Sequence, residues 1–358
     1  MKDSIKFFDK ITFFVILSIS ISGVFLIYSA SHSDTNTFFY KQLLWLIFSI
    51  IIFFIVFRIR TEIIFRYGVL LYIILVGILI LQLVSGKVIA GTKSWVKFGF
   101  FSVQVSEFMK IALAIIIAKY ISKINKIEWK EFFMLGLIIG IPFVLIALQP
   151  DMGTASIFVS LFIITILLKG IKKSIVIFLI LLVLLSSFFL WNYFLKPYQK
   201  DRITSFLNPE LYSQSSGYQI IQSKIAIGAG GINGKGFLKG SQSKYKFLPT
   251  RHTDFIISLL GEEFGFLGIS FFLILYFTFF YRQFTFFTEN EEELNLVYLL
   301  LGLILFQFLI NVLMSIGLIP ILGLPLPFVS YGGSSLLGFF IIEGIIFKIR
   351  INSYINEF

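Results

Sequence analysis

The stretch Phe247-Leu-Pro-Thr-Arg-His-Thr-Asp254-Phe-Ile-Ile closes a polar loop and opens an apolar helix, with Glu262 and Glu263 about two turns further in. Carboxylates at or below a membrane surface are costly to keep there, so they mark functional positions by default. Asp254 also faces a loop rich in lysine and arginine, which can hold a phosphorylated substrate. An acid at a membrane edge opposite a basic loop is the arrangement of a membrane enzyme.

Other segments place polar or helix-breaking residues where an apolar chain has little use for them. Glu107 and Lys110 stand three apart, which puts both on one helix face as an intramembrane ion pair beside a polar cavity. Asp151, in Gln149-Pro-Asp-Met-Gly-Thr154, is placed to cap the helix that follows, with a catalytic role as the lesser alternative. Ala229-Gly-Gly-Ile-Asn-Gly-Lys-Gly236 is a glycine-rich turn; it can offer amides to phosphate, although glycine in a loop is more often a turn former. The uncharged segment from Gly317 to Ser335 holds Pro320, Pro325, Pro327 and the pair Gly332-Gly333. It reads as nonhelical backbone re-entering the membrane beside a cavity.

These groups must be held by a membrane fold. Hydrophobic residues make up 58% of the 358-residue chain and charged residues 14%, more apolar surface than a water-soluble fold of this size can bury. The absence of cysteine excludes disulfides and thiolate chemistry, and the two histidines, His32 and His252, exclude a multi-histidine metal centre. The apolar runs form about ten spans, near 11–28, 43–57, 67–83, 105–120, 132–148, 154–168, 175–194, 255–280, 296–318 and 335–349. The expected architecture is one all-α polytopic domain over residues 1–358, with a long outer loop at about 195–253 and a re-entrant Pro/Gly segment before the tenth helix.

With both termini cytoplasmic, Lys10, Arg58, Arg60, Arg66, Lys119, Lys123, Lys169 and Lys348 all fall inside, as the positive-inside rule requires. The net charge of +11 thus reflects topology rather than nucleic acid. Lys87, Lys93 and Lys97 fall outside with the basic residues of the long loop, either as solvated charges or as an anion site. In that loop, the stretch from Tyr218 to Gly228 suits an amphipathic helix lying on the membrane.

In their order and spacing these motifs resemble the SEDS family (shape, elongation, division and sporulation) of polytopic peptidoglycan glycosyltransferases, over about residues 10 to 350. The marks are Gly91-Thr-Lys-Ser-Trp95, Ser106-Glu-Phe-Met-Lys110, Gln149-Pro-Asp-Met-Gly-Thr154 and Tyr198-Gln-Lys-Asp-Arg202. Ile225-Ala-Ile-Gly-Ala-Gly-Gly231, His252-Thr-Asp-Phe255 with Gly261-Glu-Glu263, and Pro327-Phe-Val-Ser-Tyr-Gly-Gly-Ser-Ser335 complete them. Gly240-Ser-Gln-Ser before Phe247-Leu-Pro looks closer to the RodA elongation branch than to the FtsW division branch. Val105 stands where the family usually has proline, and Thr250 where it often has glutamate, which removes an acid near Asp254.

The resemblance implies polymerisation of lipid II, the undecaprenyl-pyrophosphate-linked disaccharide-pentapeptide, on the outer face of the bacterial cytoplasmic (inner) membrane. It implies a role in elongation and rod-shape maintenance. In that reading Asp254 is the general base for the acceptor hydroxyl. Arg202, Arg251, Lys93, Glu107, Lys110, Ser330 and Gly332 are expected to bind substrate. Mg²⁺ or Mn²⁺ is a candidate helper for the departing pyrophosphate, with no organic cofactor. The implied partners are a class B penicillin-binding protein as transpeptidase, the elongation machinery, lipid II and membrane lipids, without nucleic acid. Two other functions stand beside this one. A precursor flippase would use the intramembrane charges but needs a path open to both sides, often built from inverted repeats, and no repeat is visible. A noncatalytic scaffold would only position the penicillin-binding protein.

Overall fold

The computed structural model describes residues 7–32, 36–85, 94–98, 101–212, 216–245 and 247–356. α1 (Lys10–Ser31), α2 (Thr37–Phe57) and α3 (Thr61–Ser85) lead to a hairpin of β1 (Trp95–Phe98) and β2 (Phe101–Gln104). α4 (Val105–Ile121), α5 (Trp129–Leu148), α6 (Met152–Lys169) and α7 (Lys173–Phe189) follow. The outer loop carries α8 (Pro197–Leu207), α9 (Ser216–Gly230) and the single turn α10 (Ser241–Lys244). α11 (Ile256–Phe284), α12 (Glu291–Ser315) and α13 (Gly333–Asn356) complete the chain. The antiparallel hairpin, which pairs Trp95 with Gln104, is an addition to the all-α expectation. Its strands are too short for alternation to distinguish them from loop.

Among the described residues, α1, α2, α3, α5, α6, α7, α11 and α12 are long and apolar enough to cross a bilayer. The other two expected spans are interior helices. α4 has 17 residues, is buried almost throughout and carries Glu107 and Lys110. α13 carries Glu343, Lys348 and Arg350 and lies along α2. A helix sheathed by its neighbours needs no lipid-facing surface and can hold charges that are paired within the protein. α7 is the opposite case: Ile175 is its buried residue, and most of its remaining apolar side chains are exposed.

Between α12 and α13 the chain is nonhelical from 316 to 332, as its prolines require. Unwound backbone inside a bundle must find other hydrogen-bond partners. Side chains from four helices provide them. Asn311 Nδ2 donates to the Leu324 carbonyl at 2.7 Å, Gln307 Nε2 to Pro325 at 3.0 Å and Gln42 Nε2 to Ser330 at 3.2 Å. Arg202 donates to the Ile321 carbonyl at 3.3 Å, and the Tyr276 hydroxyl to that of Pro327.

A second irregularity lies in α11, which breaks at Gly265 with φ 63°. In an unbroken helix the amides of Phe266 and Leu267 would bond to the carbonyls of Glu262 and Glu263. Here the glycine-rich turn slides between them. Lys235 N and Gly236 N donate to Glu262 O and Glu263 O at 3.0 and 2.9 Å, while Phe266 N and Leu267 N donate to Gly231 O and Ile232 O at 2.8 and 3.1 Å. Those loop amides are therefore engaged by α11 and not offered to phosphate.

α9 also departs from expectation. It packs on the outer part of α11, where Ser223 and Ser258 hydroxyls share a 2.6 Å hydrogen bond and Ala226 is fully buried. A Cβ on Gly230 would lie 1.9 Å from the Gly261 carbonyl, so only glycine allows this approach. Amphipathic spacing showed that α9 covers its apolar face, but the cover is protein rather than lipid.

Candidate active site

Asp254 sits in the turn before α11. The amides of Thr253, Asp254 and Phe255 converge on the Thr250 carbonyl at 3.1, 3.1 and 3.3 Å. α11 is capped at Phe255 with no side-chain cap, so the Asp254 carboxylate is not engaged in capping, its ordinary use before a helix. The re-entrant segment grips this turn at two successive residues, and α12 holds the third. Tyr331 N donates to His252 O at 2.9 Å. Ser330 Oγ donates to Thr253 O at 2.5 Å while accepting from Leu326 N at 2.8 Å. Asn311 Nδ2 reaches Asp254 O at 2.9 Å as well as Leu324 O.

The Asp254 side chain keeps some contact with solvent, yet protein crowds its carboxylate. A Cβ added to Gly323 would stand 3.7 Å from Oδ2. Burial raises the carboxyl from 3.8 to about 6, against the opposing hydrogen bond from Thr253 and the positive charge of Arg202. Arg202 lies on α8 and is tied to the re-entrant segment through Ile321. Arg251 is buried and donates Nε–H to the Ala30 carbonyl at 2.8 Å, anchoring the turn to the end of α1.

Beside the turn opens a cavity of about 420 Å³ whose walls include Lys41, Trp45, Trp95, His252, Tyr331 and Gly332. His252 stacks on Phe38 at 4.5 Å and meets Tyr331 edge-on at 5.9 Å, while Gly332 N donates to Gln42 Oε1 at 3.3 Å. Aromatic faces with an ammonium group and an imidazole suit a ligand that carries both sugar rings and negative charge. Tyr331 lies in the motif at 327–335, but Lys41, Trp45 and the amides Gln42, Gln307 and Asn311 fall in none of the sequence motifs. The one signal of Lys41 and the three amides was polarity beside or inside apolar runs, with Gln307 and Asn311 four apart on one helix face.

The remaining candidates fall around this centre. Glu107 and Lys110 form a buried ion pair at 2.8 Å, and Lys110 also donates to Gln307 Oε1 at 3.2 Å. Because Gln307 holds Pro325 O, the pair buttresses the re-entrant segment from behind. Neither residue lines the cavity beside the turn. Lys93 lies outside the described residues. Asp151 caps α6, accepting from Thr154 N at 3.2 Å and from Gln104 Nε2 at 3.0 Å. Glu262 takes Lys235 Nζ at 2.7 Å and Ser241 Oγ at 3.0 Å, and Glu263 accepts from Ser29 Oγ and from Leu238 N at 3.2 Å. These two acids fasten the outer loop to α11 and α1. Among the described residues no three His, Asp or Glu side chains converge as a metal-binding group. Asp254 has no second carboxylate beside it among the described residues, so a divalent ion here would draw its shell mainly from substrate oxygens and water, an arrangement that Mg²⁺ accepts.

The family model for cell cycle proteins of the FtsW/RodA/SpoVE type matches residues 8–355. The chain is 38% identical to the probable peptidoglycan glycosyltransferase FtsW of Wigglesworthia glossinidia brevipalpis, covering 98% of this chain and 96% of that one. It is 31% identical to the peptidoglycan glycosyltransferase RodA of Treponema pallidum, covering 96% and 97%. Division and rod-shape proteins thus both stand among the relatives, and similarity does not separate the RodA branch from the FtsW branch. A chain from a peptidoglycan synthase complex that coordinates polymerization and crosslinking superposes with a TM-score of 0.86 at 26% identity, covering 97% and 98%. The rod shape determining protein RodA of Thermus thermophilus shares the fold, with a TM-score of 0.73 at 23% identity and coverage of 97% and 98%.

Proposed function

This chain belongs to the FtsW/RodA/SpoVE family of cell cycle proteins, and from that premise we propose that it is a peptidoglycan glycosyltransferase that polymerises lipid II with Asp254 as general base. The observation that carries this reading is the Asp254 carboxylate itself. It is released from capping, mounted on a turn clamped by Ser330 and Asn311, and raised to about 6 by burial. A base with that pKa is about nine-tenths ionised at pH 7 yet more basic than an ordinary aspartate, which suits proton removal near neutrality.

In the proposed step, Asp254 takes the proton of the acceptor hydroxyl as its oxygen attacks the anomeric carbon of the donor. The bond from that carbon to the pyrophosphate oxygen breaks, the electron pair leaves with the lipid pyrophosphate, and the configuration inverts. Arg202 stands within electrostatic reach of Asp254 and offsets the departing charge. Mg²⁺ or Mn²⁺, when bound, would supply further positive charge there. The positive-inside pattern puts Asp254 on the outer face with both termini cytoplasmic. The elongation assignment rests on residues 240–249, and a class B penicillin-binding protein is the partner suggested by the likeness to the synthase complex. A flippase would need polar groups open to a transmembrane path, whereas the Glu107–Lys110 pair is closed on itself.

The test is lipid II polymerisation by purified protein, with and without the transpeptidase partner and with Mg²⁺ or Mn²⁺, comparing wild type with Asp254→Asn. Glycan strands from wild type and none from a folded Asp254→Asn support the reading. A variant as active as wild type sinks the assignment of the base, and an inactive wild type under every condition sinks the polymerase.

A further inference from the structure

On the face opposite Asp254, the far ends of α3, α4, α12 and α13 enclose a polar basin of about 740 Å³ that the glycosyl transfer does not use. Its lining includes Arg66 from α3, Lys119 from α4, Glu292 and Glu293 from α12, and Lys348 from α13. Arg60 and Glu62 at the rim largely offset each other in a 3.4 Å exposed pair. Among the described residues neither Arg66 nor Lys119 belongs to a salt bridge.

A second, mainly apolar cleft of about 220 Å³ runs between α3 and α4, walled by Gly68, Val69, Ile115 and Ile116. Gly68 permits a close helix approach, since a Cβ there would lie 2.5 Å from Ile115 Cγ2. The cleft and the basin share two walls, Phe65 and Lys119, and Lys123 stands with Lys119 at the cleft. From the apolar cleft the lining passes to Lys119 at the junction and then to Glu292 and Glu293, which line the basin but not the cleft, as do Arg66 and Lys348. An acyl chain, a phosphate and an ammonium occur in that same order along an aminophospholipid.

We propose that the basin and cleft form one binding site for a phospholipid of the inner leaflet with a primary-amine head group. Its acyl chain lies between α3 and α4, its phosphate against Lys119 and Arg66, and its ammonium against Glu292 and Glu293. Glu293 is already served by Thr61, Asn352 and Lys348, so Glu292 is the carboxylate that a purely anionic head group would meet without a cation of its own. A choline head group lacks the N–H donors that those carboxylates would accept from. The inner-leaflet placement rests on the positive-inside orientation.

The full-length protein in mild detergent, equilibrated with phosphatidylethanolamine, phosphatidylglycerol or phosphatidylcholine, would be examined by native mass spectrometry for retained lipid. The expected result is a preference for phosphatidylethanolamine of about tenfold over either of the others, the scale of one charge-assisted hydrogen bond. Lys119→Glu should lower retention of phosphatidylethanolamine and phosphatidylglycerol alike. Val69→Trp, which fills the cleft, should lower retention of every diacyl lipid. Glu292→Gln should bring phosphatidylethanolamine down towards phosphatidylglycerol. Lys119 and Glu292 lie on different helices, so one misfolded variant leaves the other to decide. Equal retention of the three lipids by wild type overturns the proposal, as does retention unchanged by both Lys119→Glu and Glu292→Gln. Displacement of the lipid by soluble phosphoethanolamine at equal concentration also overturns it and makes the basin a site for a free anion.

Discussion

Ser330 Oγ stands 2.5 Å from the Thr253 carbonyl, so the residue before the proposed base is fixed to a segment that has no regular structure of its own. The same hydroxyl accepts from Leu326 N, which closes the re-entrant backbone on itself and on the turn at once. Removing it leaves a buried carbonyl and a buried amide unpaired, at a cost of about 1–3 kcal/mol. Ser330→Ala is expected to lower kcat by more than it raises KM, because its effect is on how Asp254 is aimed. A change confined to KM would show instead that Ser330 acts on binding.

The pH profile should report Asp254 directly. With the folded carboxyl at about 6, the rate should rise with pH below 6 and level above it. Asp254→Asn should leave a flat residual rate, lower by about a hundred- to ten-thousand-fold. The effect on stability has the opposite sign. Between 3.8 and about 6 the folded protein holds this proton more firmly than the unfolded chain, so ionising Asp254 lowers stability as pH rises through that window. At pH 7, Asp254→Asn should therefore unfold no more readily than wild type. A variant that melts well below wild type would make Asp254 structural.

Lys110 and Glu107 are buried together, and breaking one side strands the other. Lys110→Met alone should destabilise by about 3–5 kcal/mol, while the double variant Glu107→Gln with Lys110→Met should recover much of that loss. Denaturant unfolding of both variants measures the difference, and equal losses in single and double variants would refute the coupling.

At the other end of the bundle Asp9 caps α1 through Thr12 and pairs with Arg282 at 2.8 Å and Arg350 at 2.7 Å. Burial alone would raise its carboxyl, but hydrogen bonds from Thr12 and Arg282 and the charge of Arg350 hold it below 3.8. A lowered carboxyl contributes stability above its unfolded value and loses it as pH falls through the folded one. Asp9→Asn should therefore destabilise the protein at neutral pH, and the gap to wild type should close as the medium is acidified below about 3.8. A gap independent of pH would mean that the Asp9 charge is immaterial.

Gly265 and Gly234 should tolerate no side chain. A Cβ on Gly265 would lie 2.4 Å from Gly234 N, and one on Gly234 would lie 2.2 Å from Glu263 O, both at positive φ. Gly265→Ala or Gly234→Ala should lose more than the roughly 1–3 kcal/mol of backbone strain alone. Gly77→Ala, in α3 with nothing within 4 Å, should be neutral or slightly stabilising. Yield and melting temperature of the three variants in one detergent would check the contrast.

What was legible in the sequence was what is local. Apolar runs located the helices, eight of them among the described residues long and apolar enough to cross a bilayer, the prolines marked the unwound segment, and the three-residue spacing of Glu107 and Lys110 announced their pair. Asp254 stood out because a carboxylate there conflicts with its apolar neighbours. What stayed hidden depends on partners distant in sequence. The glycines at 229–236 read as a plain turn or a phosphate cradle until the break at Gly265 claims the amides of Lys235 and Gly236. Gln42, Gln307 and Asn311 look like stray polar residues until the bare carbonyls of 324, 325 and 330 are set opposite them. Arg251 has the charge of a pyrophosphate ligand, but its engagement with Ala30 requires the end of α1, over two hundred residues earlier.

The break in α11 also bears on how the protein is made. The two carbonyls and two amides released around Gly265 are satisfied by residues 231–236, which the ribosome delivers first. In the proposed orientation that loop has already crossed the bilayer when α11 emerges. The defect in α11 is closed only by a segment on the far side. A lesion in the exported glycines would thus leave two carbonyls and two amides of α11 without partners inside the bundle.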